Sequence, residues 1–219
     1  MIFVNYKAFE ESSGEKAVFL TKTIEDVVRE TQIKIIPAVQ VIDAEVVVSS
    51  TTLEVWVQHV DPVNYGPHTG WTLPEEVARA GVSGVFLNHS EHKFNDFSAL
   101  ATANEKAMQA GLKTLIFADS IQELKNVVNL KPTFVAYEPP EFIGSTDTSV
   151  AKAQPEIISQ AAEIARSGGE PLIVGAGVSS MEDIRKSLEL GAAGVAISTA
   201  VVKSSDPRSK LLELVEGFK

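Results

Sequence analysis

The sequence predicts an α/β fold, namely a closed (β/α)8 barrel with its active site at the C-terminal ends of eight parallel strands. Three observations support this fold: short apolar runs recur eight times, helical patterns separate most of them, and 219 residues suffice for a short barrel of this type. We therefore assign residues 1–219 to a single barrel domain. A doubly wound open sheet is the alternative, although it more often has about five or six strands and needs no eighth unit.

The eight apolar runs are the predicted strands. Several of them are continuous rather than alternating, which is expected of parallel strands that are covered on both faces. They span residues 2–6, 33–39, 55–60, 84–87, 112–118, 133–137, 171–175 and 192–197.

Helical patterns lie between most of these runs. In the first, residues 15–31, apolar side chains recur at helical spacing, and glycines that stop helices follow several of the others. Segment 42–52 is rich in β-branched residues and Ser/Thr, which favour a helix poorly, so its pattern leaves the second helix undecided. The remaining predicted helices span residues 97–110, 121–130, 154–167, 181–190 and 207–218.

Composition excludes several classes of function. The formal net charge of -10 and the lack of a basic stripe argue against a nucleic-acid partner. No apolar run approaches the roughly 18 residues of a membrane span, and no secretory signal is visible, so we expect a cytoplasmic protein. With no cysteine, the chain has neither disulfides nor thiolate metal sites. His89 and His92 are the nearest metal-ligand pair, and their spacing predicts no metal site.

Three chemically active side chains stand at the ends of separate predicted strands. Asn5 and Lys7 end the first strand two residues apart, so both face the same side of it. His89 follows the fourth strand, and Glu138 follows the sixth. Because parallel strands end at one mouth of a barrel, we expect the ammonium, imidazole and carboxylate groups to converge. Such a set suits proton abstraction next to a carbonyl group.

The segment after Glu138 has the composition of a hinged cover. Pro139 and Pro140 stop the strand because proline has no N–H for the ladder, and a polar loop of small residues follows at 143–149. A surface glutamate before an ordinary turn would look the same. Together with the other strand ends, the segment indicates a lid that excludes water during proton transfer.

A phosphate site is predicted after the last two strands. Gly175 and Gly177 follow the seventh strand, and Ser198 and Thr199 follow the eighth. Small residues here let backbone N–H groups approach an anion, helped by the start of a helix near Ser179.

These motifs, in this order, resemble the triosephosphate isomerase family in its shorter, archaeal-type branch. The resemblance extends over essentially the whole chain. It is carried by the stretches Val4-Asn5-Tyr6-Lys7, Gln58-His59-Val60-Asp61-Pro62, His68-Thr69-Gly70, Asn88-His89-Ser90-Glu91, Ala136-Tyr137-Glu138-Pro139-Pro140-Glu141-Phe142-Ile143-Gly144, Gly175-Ala176-Gly177-Val178, Val201-Val202-Lys203 and Asp206-Pro207.

The resemblance implies interconversion of dihydroxyacetone phosphate and glyceraldehyde 3-phosphate, in glycolysis and gluconeogenesis, without a cofactor. Glu138 would be the base, His89 the electrophile and Lys7 the source of positive charge for the enediolate. Asn5 would assist at the oxyanion, and Glu91 would support the site from behind.

The resemblance also implies which residues bind substrate and phosphate. It implies self-association as a homodimer or homotetramer as well, with the Thr69 loop, residues 61–73, at the interface. Two sites depart from the family pattern: Ser145-Thr146 in the lid, and Ser198-Thr199-Ala200 after the eighth strand. The implied substrate-binding set is Asn5, Tyr6, Lys7, Ile143, Gly144, Ser145, Gly175, Gly177, Ser198 and Thr199.

Two other functions are compatible with the fold. The first is another phosphate-binding barrel isomerase, such as an aminoaldose–ketose isomerase of histidine or tryptophan synthesis, but those typically rely on paired acids. The second is a non-catalytic barrel that only binds a sugar phosphate. The set of Lys7, His89 and Glu138 argues against both.

Overall fold

The eight strands form a closed parallel barrel in which each strand pairs with the next and the last pairs with the first. This computed structural model describes residues 1–139 and 153–219. The closed ring confirms the predicted (β/α)8 fold and excludes the open sheet. The strands are β1 Ile2–Asn5, β2 Ile35–Val39, β3 Trp56–Val57, β4 Gly84–Leu87, β5 Lys113–Ala118, β6 Phe134–Tyr137, β7 Leu172–Val174 and β8 Gly194–Ile197.

Helices follow the strands and cover the outside of the barrel. They are α1 Glu15–Thr31, α2 Ala44–Ser50, α3 Pro74–Arg79, α4 Phe97–Gln109, α5 Ile121–Val127, α6 Pro155–Gly168, α7 Met181–Glu189, α8 Thr199–Val202 and α9 Pro207–Val215. Short 3-10 turns add Glu10–Ser12, Val41–Asp43, Val128–Leu130 and Glu216–Phe218.

Local sequence explains most helix boundaries. The side chains of Asp96, Ser120, Ser180 and Asp206 each accept a backbone N–H in the first turn of a helix, which satisfies one of its unpaired donors. The undecided segment 42–52 does form a helix, α2, because tertiary packing of Ala44 and Val47 outweighs poor intrinsic propensity. The predicted third strand, 55–60, was too long, since only two residues pair.

The barrel has two hydrophobic layers that follow the two faces of each strand. Side chains at even positions of β1, such as Ile2 and Val4, pack outward under the helices. Phe3 points inward, where its ring meets those of Trp56 and Phe86 edge to face. Gly84 makes room for this interior, because a Cβ there would lie only 2.4 Å from the Trp56 ring.

The same alternation positions the polar residues at the mouth of the barrel. Side chains repeat on one face every second residue, so the position two beyond an interior apolar residue also points inward. Four residues at the mouth each come two positions after an interior residue, namely after Phe3, Ala136, Ile173 and Ala196. These four are Asn5, Glu138, Gly175 and Ser198.

Among the helices of the described residues, none has the length and apolar character needed to cross a membrane.

Candidate active site

A cavity of about 170 Å³ opens at the C-terminal ends of the strands. It brings together the strand-end residues Asn5, Lys7, His89 and Glu138, as predicted from their positions. The predicted phosphate-binding residues after β7 and β8 also line it, namely Gly175, Gly177, Ser198 and Thr199. A second cavity of about 670 Å³ shares the walls Asn5, Lys7 and His89 and extends towards residues 70–72.

Lys7 reaches the cavity through an unusual backbone conformation. The sequence predicted that Lys7 ends the first strand, but β1 ends at Asn5. The φ of Lys7, 49°, lies in the left-handed region. The side-chain oxygen of Asn5 accepts the Lys7 backbone N–H at 2.9 Å, and Gln58 Nε2 donates to the Lys7 carbonyl at 3.0 Å. These two bonds hold the turn that aims the ammonium group.

His89 is presented by a second left-handed residue. Asn88 has φ of 61°, and its amide donates to the Phe117 carbonyl at 3.0 Å and to Glu123 Oε1 at 2.9 Å. The Glu91 backbone N–H donates to His89 Nδ1 at 3.2 Å, so in the neutral ring the proton is on Nε2.

The environment of His89 keeps its imidazole neutral. Burial lowers the pKa of His89, Glu91 opposes this effect and Lys7 adds to it, and the resulting pKa is about 4. Nε2 lies 3.4 Å from the Asn5 amide nitrogen and 3.3 Å from Glu138 Oε2. The Nε2–H and the Asn5 amide are therefore neighbouring donors at the cavity.

Glu138 is a buried carboxyl group, 7% exposed, at the end of β6. Burial raises its pKa to about 7; Glu91 also raises it, while Lys7 and a long 3.5 Å contact from the Ser90 hydroxyl lower it. Gly175 leaves room for the group, since a Cβ there would lie 2.9 Å from Glu138 Oε1. A carboxyl group with this pKa can accept and return a proton near neutral pH.

Glu91 contacts both Lys7 and His89 but does not line the smaller cavity. Its Oε1 accepts a hydrogen bond from Lys7 Nζ at 2.7 Å, and its Oε2 lies 3.8 Å from His89 Nδ1. Glu91 lines the larger cavity. Its carboxylate thus fixes the position of the ammonium group while the backbone N–H of the same residue fixes the imidazole tautomer.

The phosphate end of the cavity differs in part from the prediction. The Asp183 carboxylate accepts the backbone N–H groups of Ser179 and Ser180, at 3.0 and 2.9 Å, so these two donors at the start of α7 are already engaged. The Ser198 hydroxyl is buried and lacks a hydrogen-bond partner among residues 1–139 and 153–219. Gly177, with φ of 70°, shapes the turn after β7.

Tyr6 was predicted to bind substrate, and the structure places it elsewhere. Its side chain is completely buried in the layer beneath the helices, and its hydroxyl bonds to Thr21 Oγ1 at 2.8 Å. The reason is the period of the strand, because position 6 has the outward parity of Ile2 and Val4. Ile143, Gly144 and Ser145, also predicted to bind substrate, lie outside the described residues.

Two neighbours of the predicted residues escaped the sequence-based prediction. The Ser90 hydroxyl faces Glu138, and the ring of Phe117 packs edge to face against His89 with centroids 4.9 Å apart. Ser90 adjoins a predicted site residue and could have been found that way. Phe117 lies inside an apolar strand, whose sequence carries no such signal.

The closed barrel and this cavity define a class, the (β/α)8-barrel proteins with a proton-transfer site at the mouth. The family model described as triosephosphate isomerase matches residues 1–217. A triosephosphate isomerase of Thermoplasma volcanium is 38% identical over 216 residues, covering 98% of this chain and 99% of that protein. One of Metallosphaera sedula is 39% identical over 218 residues, covering 99% and 95%, and one of Methanocaldococcus jannaschii is 35% identical over 218 residues, covering 99% of each. The chain belongs to the triosephosphate isomerase family, and these archaeal relatives confirm the resemblance.

Proposed function

We propose that Glu138, His89 and Lys7 carry out the reaction of this family, the interconversion of dihydroxyacetone phosphate and glyceraldehyde 3-phosphate. The observation that carries the assignment is the pairing of a buried carboxyl group with a neutral imidazole, 3.3 Å apart, beside a lysine that lines the same cavity. The glutamate base, the neutral histidine and a closing lid are established features of triosephosphate isomerases.

Glu138 is the base in this proposal. Its carboxylate takes a proton from C1 of dihydroxyacetone phosphate, and the electron pair of the C–H bond forms the enediolate. The same carboxyl group then returns the proton to C2 while the proton of the C1 hydroxyl group passes to the C2 oxygen, which leaves an aldehyde at C1 and a hydroxyl group at C2. Burial supports this role, because an ionised carboxylate that is poorly solvated binds a proton strongly.

His89, Asn5 and Lys7 stabilise the charge that develops on the two substrate oxygens. The Nε2–H of His89 and the amide of Asn5 lie side by side at the cavity and offer hydrogen bonds without a reorganisation of water. Lys7 adds a positive charge, whose orientation is supported by its bond to Glu91. Donors fixed in a water-excluded site contribute more than the same groups in water.

The phosphate group fits the part of the cavity that follows β7 and β8. Gly175, Gly177 and Thr199 supply a close backbone surface there, and the Ser198 hydroxyl, which has no hydrogen-bond partner within the described residues, is a further donor. We assign Ile143, Gly144 and Ser145 to the lid that covers this end, on the resemblance alone. Tyr6 is left out of the assignment because of its buried position.

A coupled assay with triose phosphates tests the function directly. We expect activity without added metal or nucleotide, and kcat/KM should rise with pH through about 7, because protonated Glu138 cannot act as a base. The substrate phosphate itself titrates at about pH 6. A Glu138→Asp variant should shift only the part of the pH–rate profile that reports the enzyme carboxyl group. Activity that chelators abolish and a divalent ion restores would contradict the proposal.

We also propose that the chain self-associates through the Thr69 loop. The loop carries two exposed aromatic side chains, Tyr65 (67% exposed) and Trp71 (54%), and Ile42, outside the loop, is 83% exposed. Trp71 and Ile42 also line the larger cavity next to Lys7, so a second copy docked there would cover the rear of the active site. Sedimentation should detect an oligomer, and Thr69→Arg should weaken it. A fully active monomer at assay concentration would contradict this proposal.

The cytoplasmic location and the assignment of residues 1–219 to one domain stay predictions.

A further inference from the structure

Phe117 is an aromatic residue that touches the catalytic imidazole from inside the barrel. It lies in β5, is 2% exposed and lines the smaller cavity together with His89. The two ring centroids are 4.9 Å apart, and the planes are inclined by 67°. This edge-to-face arrangement is one that aromatic pairs prefer.

Phe117 is itself held in place by the aromatic interior. Its ring packs edge to face against Phe86 with centroids 5.1 Å apart, and Phe86 in turn meets Phe3 at 5.7 Å and Trp56 at 6.1 Å. All four of these aromatic residues are almost completely buried. A continuous series of edge-to-face ring contacts therefore connects the centre of the barrel to His89. Because such an interior is tightly packed, the Phe117 ring cannot move easily.

The backbone of Phe117 contacts the same catalytic loop. Its carbonyl accepts the Asn88 amide at 3.0 Å, and Asn88 is the left-handed residue immediately before His89. The Asn88 amide also donates to Glu123 Oε1, which Lys93 contacts at 3.1 Å. One residue thus fixes the loop through its carbonyl and the imidazole through its ring.

We propose that Phe117 is a positioning residue that fixes the plane of the His89 imidazole and covers one side of it from water. The kinetic consequence rests on the function proposed above, whereas the effect on the imidazole does not. A smaller side chain would let water reach the ring and let its plane rotate. The imidazole would then bind a proton more readily, and its Nε2–H would no longer be held towards the substrate.

Two substitutions test the role of Phe117, and a third is the control. Phe117→Leu keeps most of the apolar volume but removes the aromatic ring, and Phe117→Ala opens space beside His89. The control is Phe134→Leu, which removes a ring that packs on Phe3 and Trp56 away from His89. The chain has four histidines, so a His89→Gln variant assigns the His89 signals in ¹⁵N-edited NMR spectra.

We expect the pKa of His89 to rise from about 4 towards its ordinary value of 6.5 in Phe117→Ala, with a smaller rise in Phe117→Leu. We also expect kcat to fall by roughly 10- to 100-fold in Phe117→Leu, with a smaller change in KM, because slight misplacement of a catalytic group is costly. Phe134→Leu should lower the melting temperature and leave the His89 pKa unchanged.

An unchanged His89 pKa and tautomer in both Phe117 variants would overturn the proposal, as would a loss of kcat no larger than that of Phe134→Leu. If Phe117→Ala does not fold, the Leu variant decides the matter alone. If wild-type protein lacks isomerase activity, the proposed function fails, while the NMR titration still judges the contact between Phe117 and His89.

Discussion

Two buried glutamates at opposite ends of the barrel have the same exposure and different surroundings. Glu138 and Glu170 are each 7% exposed. Glu170 stands just before β7, at the N-terminal end of the strands, and its Oε1 lies 3.6 Å from the ammonium group of Lys131. Glu138 stands after β6, at the mouth, and its near partner is the neutral imidazole of His89. Burial alone therefore does not distinguish a structural carboxyl group from a reactive one, whereas the partner does.

Lys7 and Lys131, one at each end of the barrel, also share a local property but differ in their surroundings. Lys7 and Lys131 both have left-handed backbones, with φ of 49° and 53°. Lys131 follows a 3-10 turn, and its N–H donates to the Val128 carbonyl, which is an ordinary way to end a helical segment. Lys7 follows a strand, and its conformation directs a side chain into a cavity. At the mouth the left-handed backbone of Lys7 places a functional group, whereas at the N-terminal end of the strands the same backbone in Lys131 ends a helical segment.

The largest difference in kcat is expected between matched substitutions of Glu138 and Glu170. Glu138→Gln should lower kcat by about 10²- to 10⁴-fold or more, because an amide cannot accept the proton. Glu170→Gln should leave kcat close to that of wild type. Steady-state assays of both variants, with circular dichroism to confirm folding, make the comparison. A Glu138→Gln enzyme about as active as Glu170→Gln would remove Glu138 from the mechanism.

The two lysines provide the next largest difference. Lys7→Ala should lower kcat/KM by about 10²- to 10³-fold, the usual cost of losing one fixed donor to a developing oxyanion. Lys131→Ala should affect stability only, and weakly, because the Lys131 side chain is 65% exposed. Lys7→Arg should not restore activity, since the guanidinium group is larger and planar. Full activity of Lys7→Arg would mean that only net charge matters at this position.

The fold and the strand-end residues were predictable because they depend on period and order along the chain. The errors arose where a residue left that period or where contacts between distant segments decide. Tyr6 could have been excluded from the site by its parity with Val4. The left-handed turn at Lys7 could not have been predicted, because it is held by a hydrogen bond that Asn5 accepts from the Lys7 N–H and by one that Gln58 donates to the Lys7 carbonyl. The engagement of Ser179 N–H by Asp183 and the contact of Phe117 with His89 likewise require the folded chain.

The smallest expected effect concerns the free energy of unfolding and its dependence on pH. Burial raises the pKa of Glu138 from 4.5 to about 7, so the folded state binds this proton more tightly than the unfolded state. Its contribution to stability is complete below pH ~4.5 and is lost as pH rises through about 7, where a charged carboxylate is buried. Glu138→Gln cannot ionise, so its stability relative to wild type should increase over this range.

The size of that increase follows from the shift. The difference of 7 and 4.5 is about 2.5 pH units, and at 1.36 kcal/mol per unit the upper limit is about 3 kcal/mol. Urea unfolding of both proteins between pH ~4.5 and ~8 measures it. Phe134→Leu is the control, because it changes no ionisable group and its stability difference from wild type should stay constant with pH. A Glu138→Gln difference that is equally constant would show that the Glu138 carboxyl group is not destabilised by burial.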